Sequence, residues 1–396
     1  MSHSIKSKEH YLYKWLKETR RYFHMYPETA HKEFNTTKKI REIFLSLGVE
    51  ILELDGLKTG VVGLLRGQKK GKTIALRADI DALPILEANK TSYRSKNKGV
   101  MHACGHDAHT TIMLGTAKNL IESGALNKIK GNIKFIFQPA EEKLSGANHL
   151  IDLGVLKNPS FDMILACHMS PVLPTGKAAL YKGISHAISI NFQLTIKGRG
   201  CHGAGPQKGV DPINAGAWFV TAIQSIMSRN VSPLESGALT IGEFHAGTAP
   251  NIIPDKVMMT GTIRAFKGEV IELILKRLSE ITEGIEKTFH VKVNLNIKEN
   301  RVPALFNDKS ATELLFNSAV KILDEQNIIF SEPDLGAEDF AFFTQAVPGA
   351  MTHIGCGKNL EKNQEIPSHS PNYDIDEAVL PIGVEIFTDA VKTYLS

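Results

Sequence analysis

The chain has 396 residues, of which 42% are hydrophobic and 22% are charged, and its formal net charge is +4. A chain of this length is too long to fold around one ordinary hydrophobic core, which favours two domains. Its basic clusters are short, which argues against a nucleic-acid partner, and no apolar run is long enough to span a membrane. The four cysteines are far apart and the first residues include no apolar signal segment, so we expect a cytoplasmic protein with reduced thiols.

Helix and strand patterns alternate along the first part of the chain. Two amphipathic helix patterns, at about 9–24 and 35–47, come first, and Gly48 follows as a C-terminal cap. β-rich apolar runs then occur at 59–65, 73–79, 133–138 and 163–168. Helical patterns lie between the last three, at about 107–123 and 142–153. Apolar strands that alternate with helices indicate an α/β sheet covered on both faces.

The pattern changes near residue 185. A half-exposed strand, SHAISINFQLTIKG, is followed by a helix with Asp211 as its N-cap and Pro212 at its first position. Strands at about 237–246, 256–265 and 290–297 and a helix at about 268–288 complete the order β-α-β-β-α-β, which matches a ferredoxin-like unit. The α/β pattern then resumes and ends in a helix at about 375–394. We therefore predict a mixed-sheet α/β domain (1–185 and 298–396) with an inserted α+β domain (186–297).

Four segments contain residue types that bind metals, at the ends of predicted strands or in the loops that follow. They are HACGHD (102–107), FQPAEE (137–142), His168 and PSHSPNYDIDE (367–377). Such loops converge at one edge of an α/β sheet. Alone, a cysteine is usually a small buried hydrophobe, and two glutamates at a helix start usually serve only the helix dipole. Together the segments supply the S, N and O donors that zinc, manganese or cobalt prefer.

These motifs resemble the M20 metallopeptidase superfamily, and in particular its aminoacylase/amidohydrolase branch. That branch includes hippurate hydrolases, N-acetyldiaminopimelate deacetylases and auxin-conjugate amidohydrolases. The resemblance extends from FHMYPETAHKEF (23–34) to the last helix, and it is carried by RADIDALP, MHACGHDAHTT, FQPAEE, GTAPNIIPD with GTIRAF, LGAEDFAFF and PSHSPNYDIDEAVL.

The resemblance implies a site for two divalent metal ions, which could be zinc, manganese, cobalt or nickel. Cys104 would be the bridging ligand, because a thiolate can bind two cations and their charge deprotonates it. The ligands form two groups: Cys104, Glu142 and His369 for one ion, and Cys104, His106 and His168 for the other.

Further residues of the same motifs have implied roles beside the ligands. Glu141 matches the family's general base, which takes a proton from water activated at the metals. Asp79 would orient a metal-binding histidine, with Asp81 as the alternative. His102 and His109 are left outside the ligand set.

The resemblance also implies that the inserted domain forms a dimer, or a higher homo-oligomer, and closes over the substrate. His202, in GRGCHGAGP, would help to polarise the scissile carbonyl, often across the dimer. Asn251 and Arg264 would hold the substrate's free carboxylate, which suits the planar fork of arginine. The chain departs from the family at Ser170, where an aromatic residue is frequent, and at Gln207, where a histidine is frequent. Both departures leave the acyl specificity open.

The predicted function is hydrolysis of the amide bond of a small molecule, an N-acyl-L-amino acid. An M20-type carboxypeptidase or dipeptidase is the alternative. GRGCHG at 198–203 fits the G-x-G-x-x-G pattern of dinucleotide-binding dehydrogenases, but Pro206, Gly209 and Pro212 stand where that motif requires a helix. A metal-free regulatory protein with the same fold is a further possibility, and the complete ligand set with Glu141 argues against it.

Overall fold

The computed structural model describes residues 10–298, 301–358 and 366–396. The chain divides into two compact units. The larger comprises Met1–Ser185, Phe306–Glu332 and Asp339–Ser396, and the smaller comprises His186–Leu305 and Pro333–Glu338. The smaller unit thus extends beyond the 186–297 span expected from the sequence.

Helices and strands are numbered in chain order. The helices are α1 (Tyr13–Met25), α2 (Phe34–Ser46), α3 (His106–Glu122), α4 (Gly146–Asp152), α5 (Pro212–Ser225), α6 (Gly268–Phe289), α7 (Lys309–Leu323), α8 (Ala341–Ala346) and α9 (Val379–Tyr394). The strands are β1 (Glu50–Leu52), β2 (Val61–Arg66), β3 (Lys69–Asp79), β4 (Lys130–Gln138), β5 (Met163–Pro174), β6 (Ala178–Leu180), β7 (Gly183–His186), β8 (Ile188–Lys197), β9 (Cys201–His202), β10 (Gly237–Ala246), β11 (Ile252–Ile253), β12 (Lys256–Ala265), β13 (Lys292–Ile297), β14 (Leu305–Asn307), β15 (Ile328–Phe330) and β16 (Gly349–Gly357).

The larger unit is built on an eight-stranded sheet in the order β1-β2-β4-β3-β5-β16-β6-β15. The neighbours β4, β3, β5 and β16 run parallel, so their carboxyl ends lie at one edge of the sheet. β2 pairs antiparallel with β4, and β6 pairs antiparallel with β16. The predicted α/β class with a mixed sheet is therefore confirmed.

Alternate residues of β4 show that both faces of this sheet are covered. The rings of Phe135 and Phe137 pack edge-on against Phe44 of α2, with centroids 5.6 and 5.2 Å apart. Lys134, between them, points to the other face. There its ammonium donates to three backbone carbonyls, those of Val155, Lys157 and Pro159.

Two local predictions are wrong. β5 does not end at His168 but continues to Pro174, because β16 pairs with it as far as that residue. A continuous helix at 142–153 does not form, since Glu141–Lys143 is a single 3₁₀ turn and Leu144 is left-handed at φ +52°. A left-handed residue other than glycine costs on the order of 1–3 kcal/mol, which the surrounding contacts must offset.

The smaller unit contains a four-stranded sheet in the order β10-β12-β8-β13, with every pair antiparallel. This order, with α5 and α6 in the two crossovers, is the ferredoxin-like arrangement predicted from the sequence. The Asp211 carboxylate accepts hydrogen bonds from the backbone of Ile213 and Asn214, as expected of an N-cap. Among the described residues of the chain, no helix has the length and apolar character needed to cross a membrane.

Candidate metal centre

The five predicted ligands lie close together in the larger unit. Cys104 and His106 are at the start of α3, Glu142 is in the turn after β4, His168 is in β5, and His369 is in the loop before α9. Their donor atoms form two groups, and the atoms of each group lie within 4.8 Å of one another. One group is Cys104, His106 and His168, and the other is Cys104, Glu142 and His369. The Cys104 thiol is common to both groups.

Backbone carbonyls fix the tautomers of two of the histidines. His168 Nδ1 donates to the Met169 carbonyl and His106 Nδ1 donates to the Asp81 carbonyl, each at 2.9 Å. A carbonyl only accepts, so both Nδ1 atoms carry a proton, and in the neutral form of each ring Nε2 keeps the lone pair. His168 Nε2 lies 3.4 Å from Cys104 Sγ, and His106 Nε2 is buried with no hydrogen-bond partner among the described residues. Both imidazoles therefore have the tautomer that an Nε2 metal ligand needs.

His369 reaches the second group through a strained backbone. Its N–H donates to the Ala103 carbonyl at 2.7 Å, and its φ is +66°. Its Nε2 lies 3.5 Å from Glu142 Oε1, a buried oxygen that has no hydrogen-bond partner among the described residues. Unsatisfied buried oxygen and nitrogen atoms around one thiol fit a site for divalent cations, since buried polar atoms otherwise need hydrogen bonds.

The electrostatics of the site also favour a cation. Burial raises the pKa of the Cys104 thiol to about 12, so a thiolate at this position needs a bound cation. Burial and the neighbouring His109 and His353 hold the pKa of His168 well below its usual value, which keeps Nε2 unprotonated. Burial opposes ionisation of Asp79, but the surrounding positive groups hold its pKa well below the usual range. Asp79 in turn raises the pKa of His106 well above its usual value, against the effect of burial, so the site already favours positive charge at this ring.

The two adjacent glutamates are held by one carboxylate. Asp81 accepts the N–H of Glu141 at Oδ1 and the N–H of Glu142 at Oδ2, both at 3.0 Å. Glu141 Oε2 and Glu142 Oε1 each lie 3.9 Å from His106 Nε2. The turn therefore directs both carboxylates towards the candidate metal ligands.

The structure separates the contacts of Asp79 from those of Asp81. Asp79 Oδ1 accepts the Nδ1 proton of His109 at 2.6 Å, and His109 Nε2 accepts the Met169 N–H at 2.8 Å. Both ring nitrogens of His109 are thus occupied, which removes it as a ligand. The hydrogen bond from His106 Nδ1 is accepted by the backbone carbonyl of Asp81. Both carboxylates lie beside the same ring, Asp79 Oδ2 at 3.7 Å from Nε2 and Asp81 Oδ1 at 3.4 Å from Nδ1, so the orienting role of either carboxylate stays a prediction.

A buried polar cluster that the sequence analysis did not identify lies next to Asp79. The Arg77 guanidinium donates to Asp79 Oδ2 at 2.7 Å, to Gln138 Oε1 at 2.9 Å and to Asp339 Oδ1 at 3.0 Å. Asp339 also accepts the Ala147 N–H at 3.0 Å. The sequence could have indicated this cluster, because Arg77, Gln138 and Asp339 each lie in a motif that carries the family resemblance.

In the smaller unit, His202 is in β9, and Asn251 directly precedes β11, the strand that pairs with β9. The Gly203 N–H donates to the Asn251 carbonyl at 2.8 Å. His202 Nδ1 accepts the Ala204 N–H at 3.0 Å, so the proton of a neutral imidazole is on Nε2. Because His202 is exposed, this Nε2–H can donate to another molecule.

Arg264 lies at the far end of β12 from these two residues. Eight residue steps of about 3.3 Å separate it from Lys256 at the start of the strand, which is roughly 26 Å. Its Nε donates to Thr262 Oγ1 at 3.2 Å, while its Nη1 is buried without a hydrogen-bond partner in the described structure. Within one smaller unit, Arg264 and Asn251 therefore lie too far apart to bind the same small substrate.

Comparison with known proteins places the chain in a family. The model of peptidase family M20/M25/M40 matches residues 75–393. Thermostable carboxypeptidase 1 of Saccharolobus solfataricus is 39% identical over 372 residues, which cover 93% of this chain and 92% of that protein. N-acetyl-L-cysteine deacetylase of Bacillus subtilis is 38% identical over 361 residues, 91% of this chain and 83% of that protein. The crystal structure of Bacillus subtilis YXEP, a dinuclear metal binding peptidase from the M20 family, has a TM-score of 0.82 and 32% identity, and the match covers 97% of this chain and 98% of that one.

Proposed function

The chain belongs to peptidase family M20/M25/M40, a family of hydrolases, and on this basis we propose that it is a metal-dependent amidohydrolase that cleaves the amide bond of N-acyl-L-amino acids. The observation that carries the proposal is the Cys104 thiol, which belongs to both donor groups. The similarity to a deacetylase of an N-acetylated amino acid supports this substrate class.

Two divalent ions fit the donor set, with zinc, manganese, cobalt and nickel as the candidates. Cys104 and Glu142 would bind one ion together with His369, and Cys104 and His106 the other together with His168. When bound, such ions polarise the scissile carbonyl and lower the pKa of water to roughly 7 in the case of zinc.

Glu141 is the general base in this proposal. Its carboxylate takes a proton from the attacking water and then passes it to the leaving amine. Asp81 supports this role, since its hydrogen bonds to the backbone of Glu141 and Glu142 hold the base beside the ligands.

Residues of the inserted domain would bind and polarise the substrate. The exposed Nε2–H of His202 would donate to the carbonyl oxygen as negative charge develops there. Asn251 and Arg264 would bind the free carboxylate, and the unsatisfied Nη1 of Arg264 supports its part in this. Since Asn251 and Arg264 are far apart in one unit, a complete substrate site would draw on two copies of the chain in a homodimer.

Cleavage of a peptide bond by a carboxypeptidase or dipeptidase activity is the second candidate. A relative of comparable identity is a carboxypeptidase, and a peptide offers the same terminal carboxylate to Arg264. The two candidates differ only in the group on the acyl side of the bond.

The test is a substrate screen on protein stripped with a chelator and reloaded with each of the four metals. N-acetyl and N-benzoyl amino acids are compared with dipeptides and longer peptides, and Glu141→Gln serves as the control for contaminating hydrolases. We expect hydrolysis only after metal is restored, with kcat/KM higher for N-acyl amino acids. Faster cleavage of peptides would favour the second candidate, and full activity in metal-free protein would contradict both.

A further inference from the structure

The segment FHMYPETAHKEF carries part of the family resemblance, yet the proposed function gives it no role. In the structure it lies against the two loops that carry Asp81 and the glutamate pair. The carbonyl of Glu28 accepts the Ala82 N–H at 2.8 Å, one residue after Asp81. Glu33 Oε1 accepts the Ala140 N–H at 2.9 Å, one residue before Glu141.

Glu33 does not act as the cap of its own helix. It occupies the N-cap position of α2, where a side-chain oxygen ordinarily accepts from the first turn of that helix. Its carboxylate makes no such hydrogen bond. Oε1 instead accepts from the His31 N–H, at 3.0 Å, and from Ala140, more than a hundred residues away along the chain.

The backbone that Glu33 holds is under strain. Ala140 is buried and left-handed, with φ +56°, and its carbonyl accepts from the N–H groups of Ser145 and Gly146 that close the turn. Two carboxylates thus bind three consecutive N–H groups: Glu33 takes the first, and Asp81 takes those of Glu141 and Glu142.

From this geometry we propose that Glu33 is a positioning residue for the hydrolysis, acting through the Ala140 N–H to set the directions of the Glu141 and Glu142 side chains. The proposal rests on the proposed function, in which Glu142 binds metal and Glu141 moves the proton. Glu33 itself touches neither metal nor substrate. Supports of this kind typically change metal affinity or activity by about 10–100-fold when removed.

Three substitutions separate this role from simple packing. Glu33→Ala removes the acceptor, and Glu33→Asp keeps the carboxyl group but shortens the side chain by one methylene. Glu33→Gln keeps an oxygen that can accept from the Ala140 N–H. The matched control is Glu28→Ala, because the Glu28 carboxylate binds Asn35 and Thr36 at the start of α2 and does not contact the glutamate turn.

The experiment measures the Co²⁺ dissociation constant by competition with a chelator, the visible spectrum of the cobalt-loaded protein, kcat, and the melting temperature. We expect Glu33→Ala and Glu33→Asp to weaken cobalt binding and lower kcat by about 10–100-fold and to change the spectrum. Glu33→Gln should lie within about threefold of wild type in both quantities. Glu28→Ala should lower the melting temperature while binding cobalt with wild-type affinity.

The outcomes separate this inference from the proposed function. Wild-type protein that binds no divalent metal would overturn the proposed function and this inference with it. Wild-type protein that binds two ions, while Glu33→Asp binds and turns over equally well, would overturn the inference alone. The inference would also fall if Glu33→Gln were as impaired as Glu33→Ala, since the acceptor for Ala140 would then not be the operative feature.

Discussion

The imidazole of His168 presents its Nε2 lone pair to the Cys104 thiol, 3.4 Å away, while its Nδ1 is held by the Met169 carbonyl. A protonated thiol beside a neutral imidazole makes only a weak hydrogen bond. The same two atoms are well placed as ligands of one cation, and Cys104 also faces Glu142 and His369.

Cys104→Ala should therefore lower metal content at both sites, because both donor groups lose a member. Elemental analysis of the purified variant should show well under two tightly bound ions per chain. Cys167→Ala is the matched control, since Cys167 is another buried thiol, one residue before His168, and belongs to neither donor group. Retention of two tightly bound ions in Cys104→Ala would contradict the bridging role.

The adjacent glutamates should respond differently to the same substitution. Glu141→Gln removes the proton acceptor and leaves the ligands intact, so kcat should fall by about 10²–10⁴-fold while metal content is unchanged. Glu142→Gln removes a charged ligand, so metal affinity itself should fall. Metal titration and turnover of both variants check this, and the reverse pattern would exchange the two assignments.

Much of the centre could be predicted from the sequence because its donors lie in short motifs after strands. The rule that such loops meet at one sheet edge predicts that Cys104, His106 and the glutamate pair lie together, and the resemblance to the family implies their roles as ligands and base. The separate contacts of Asp79 and Asp81 could not be predicted, since the two residues are two positions apart and only packing shows that Asp79 binds His109 while Asp81 binds the backbone of the glutamate pair. The extension of β5 past His168 depends on β16, which lies far along the chain.

Contacts between residues far apart along the chain could not be predicted from the sequence either, because they depend on tertiary packing. Glu33 occupies the N-cap position of α2, and only the folded chain shows that its carboxylate accepts from Ala140. Leu144 gives no sign of its left-handed backbone, because leucine ordinarily favours a continuous helix. In the smaller unit, a motif match assigns Asn251 and Arg264 one role, but only the length of β12 shows that they lie far apart.

Lys134 should give the larger unit a stability that rises at alkaline pH. Burial lowers the pKa of its ammonium to about 8, from 10.5 in the unfolded chain. Below about pH 8 both states hold the proton. Between about 8 and 10.5 the folded state holds fewer protons, so the free energy of unfolding rises with pH.

Denaturant unfolding of wild type and Lys134→Met at pH 7.5 and pH 10 tests this. The free energy of unfolding of wild type, relative to that of Lys134→Met, should be higher at pH 10 than at pH 7.5, because methionine has no proton to release. Lys130→Met, at an exposed position of the same strand, is the control and should show a constant difference from wild type. A constant difference for Lys134→Met would mean that the three carbonyls around the ammonium keep it charged at pH 10.

The separation of His202 and Asn251 from Arg264 predicts that His202 serves the site of a partner subunit. His202→Ala should lower kcat by about 10²-fold or more, the range for loss of one donor to a developing oxyanion, with metal content unchanged. Glu141→Gln should be inactive for a different reason, since its own site lacks the base.

A mixed dimer of the two variants then contains one site with an intact glutamate and an intact partner histidine. At equal amounts and full exchange, half of the dimers are mixed, so activity should recover to about one quarter of wild type. Subunit exchange is followed by mass spectrometry of chains carrying different tags. If exchange proceeds and activity stays at the level of the separate variants, His202 acts within its own chain or takes no part in the reaction.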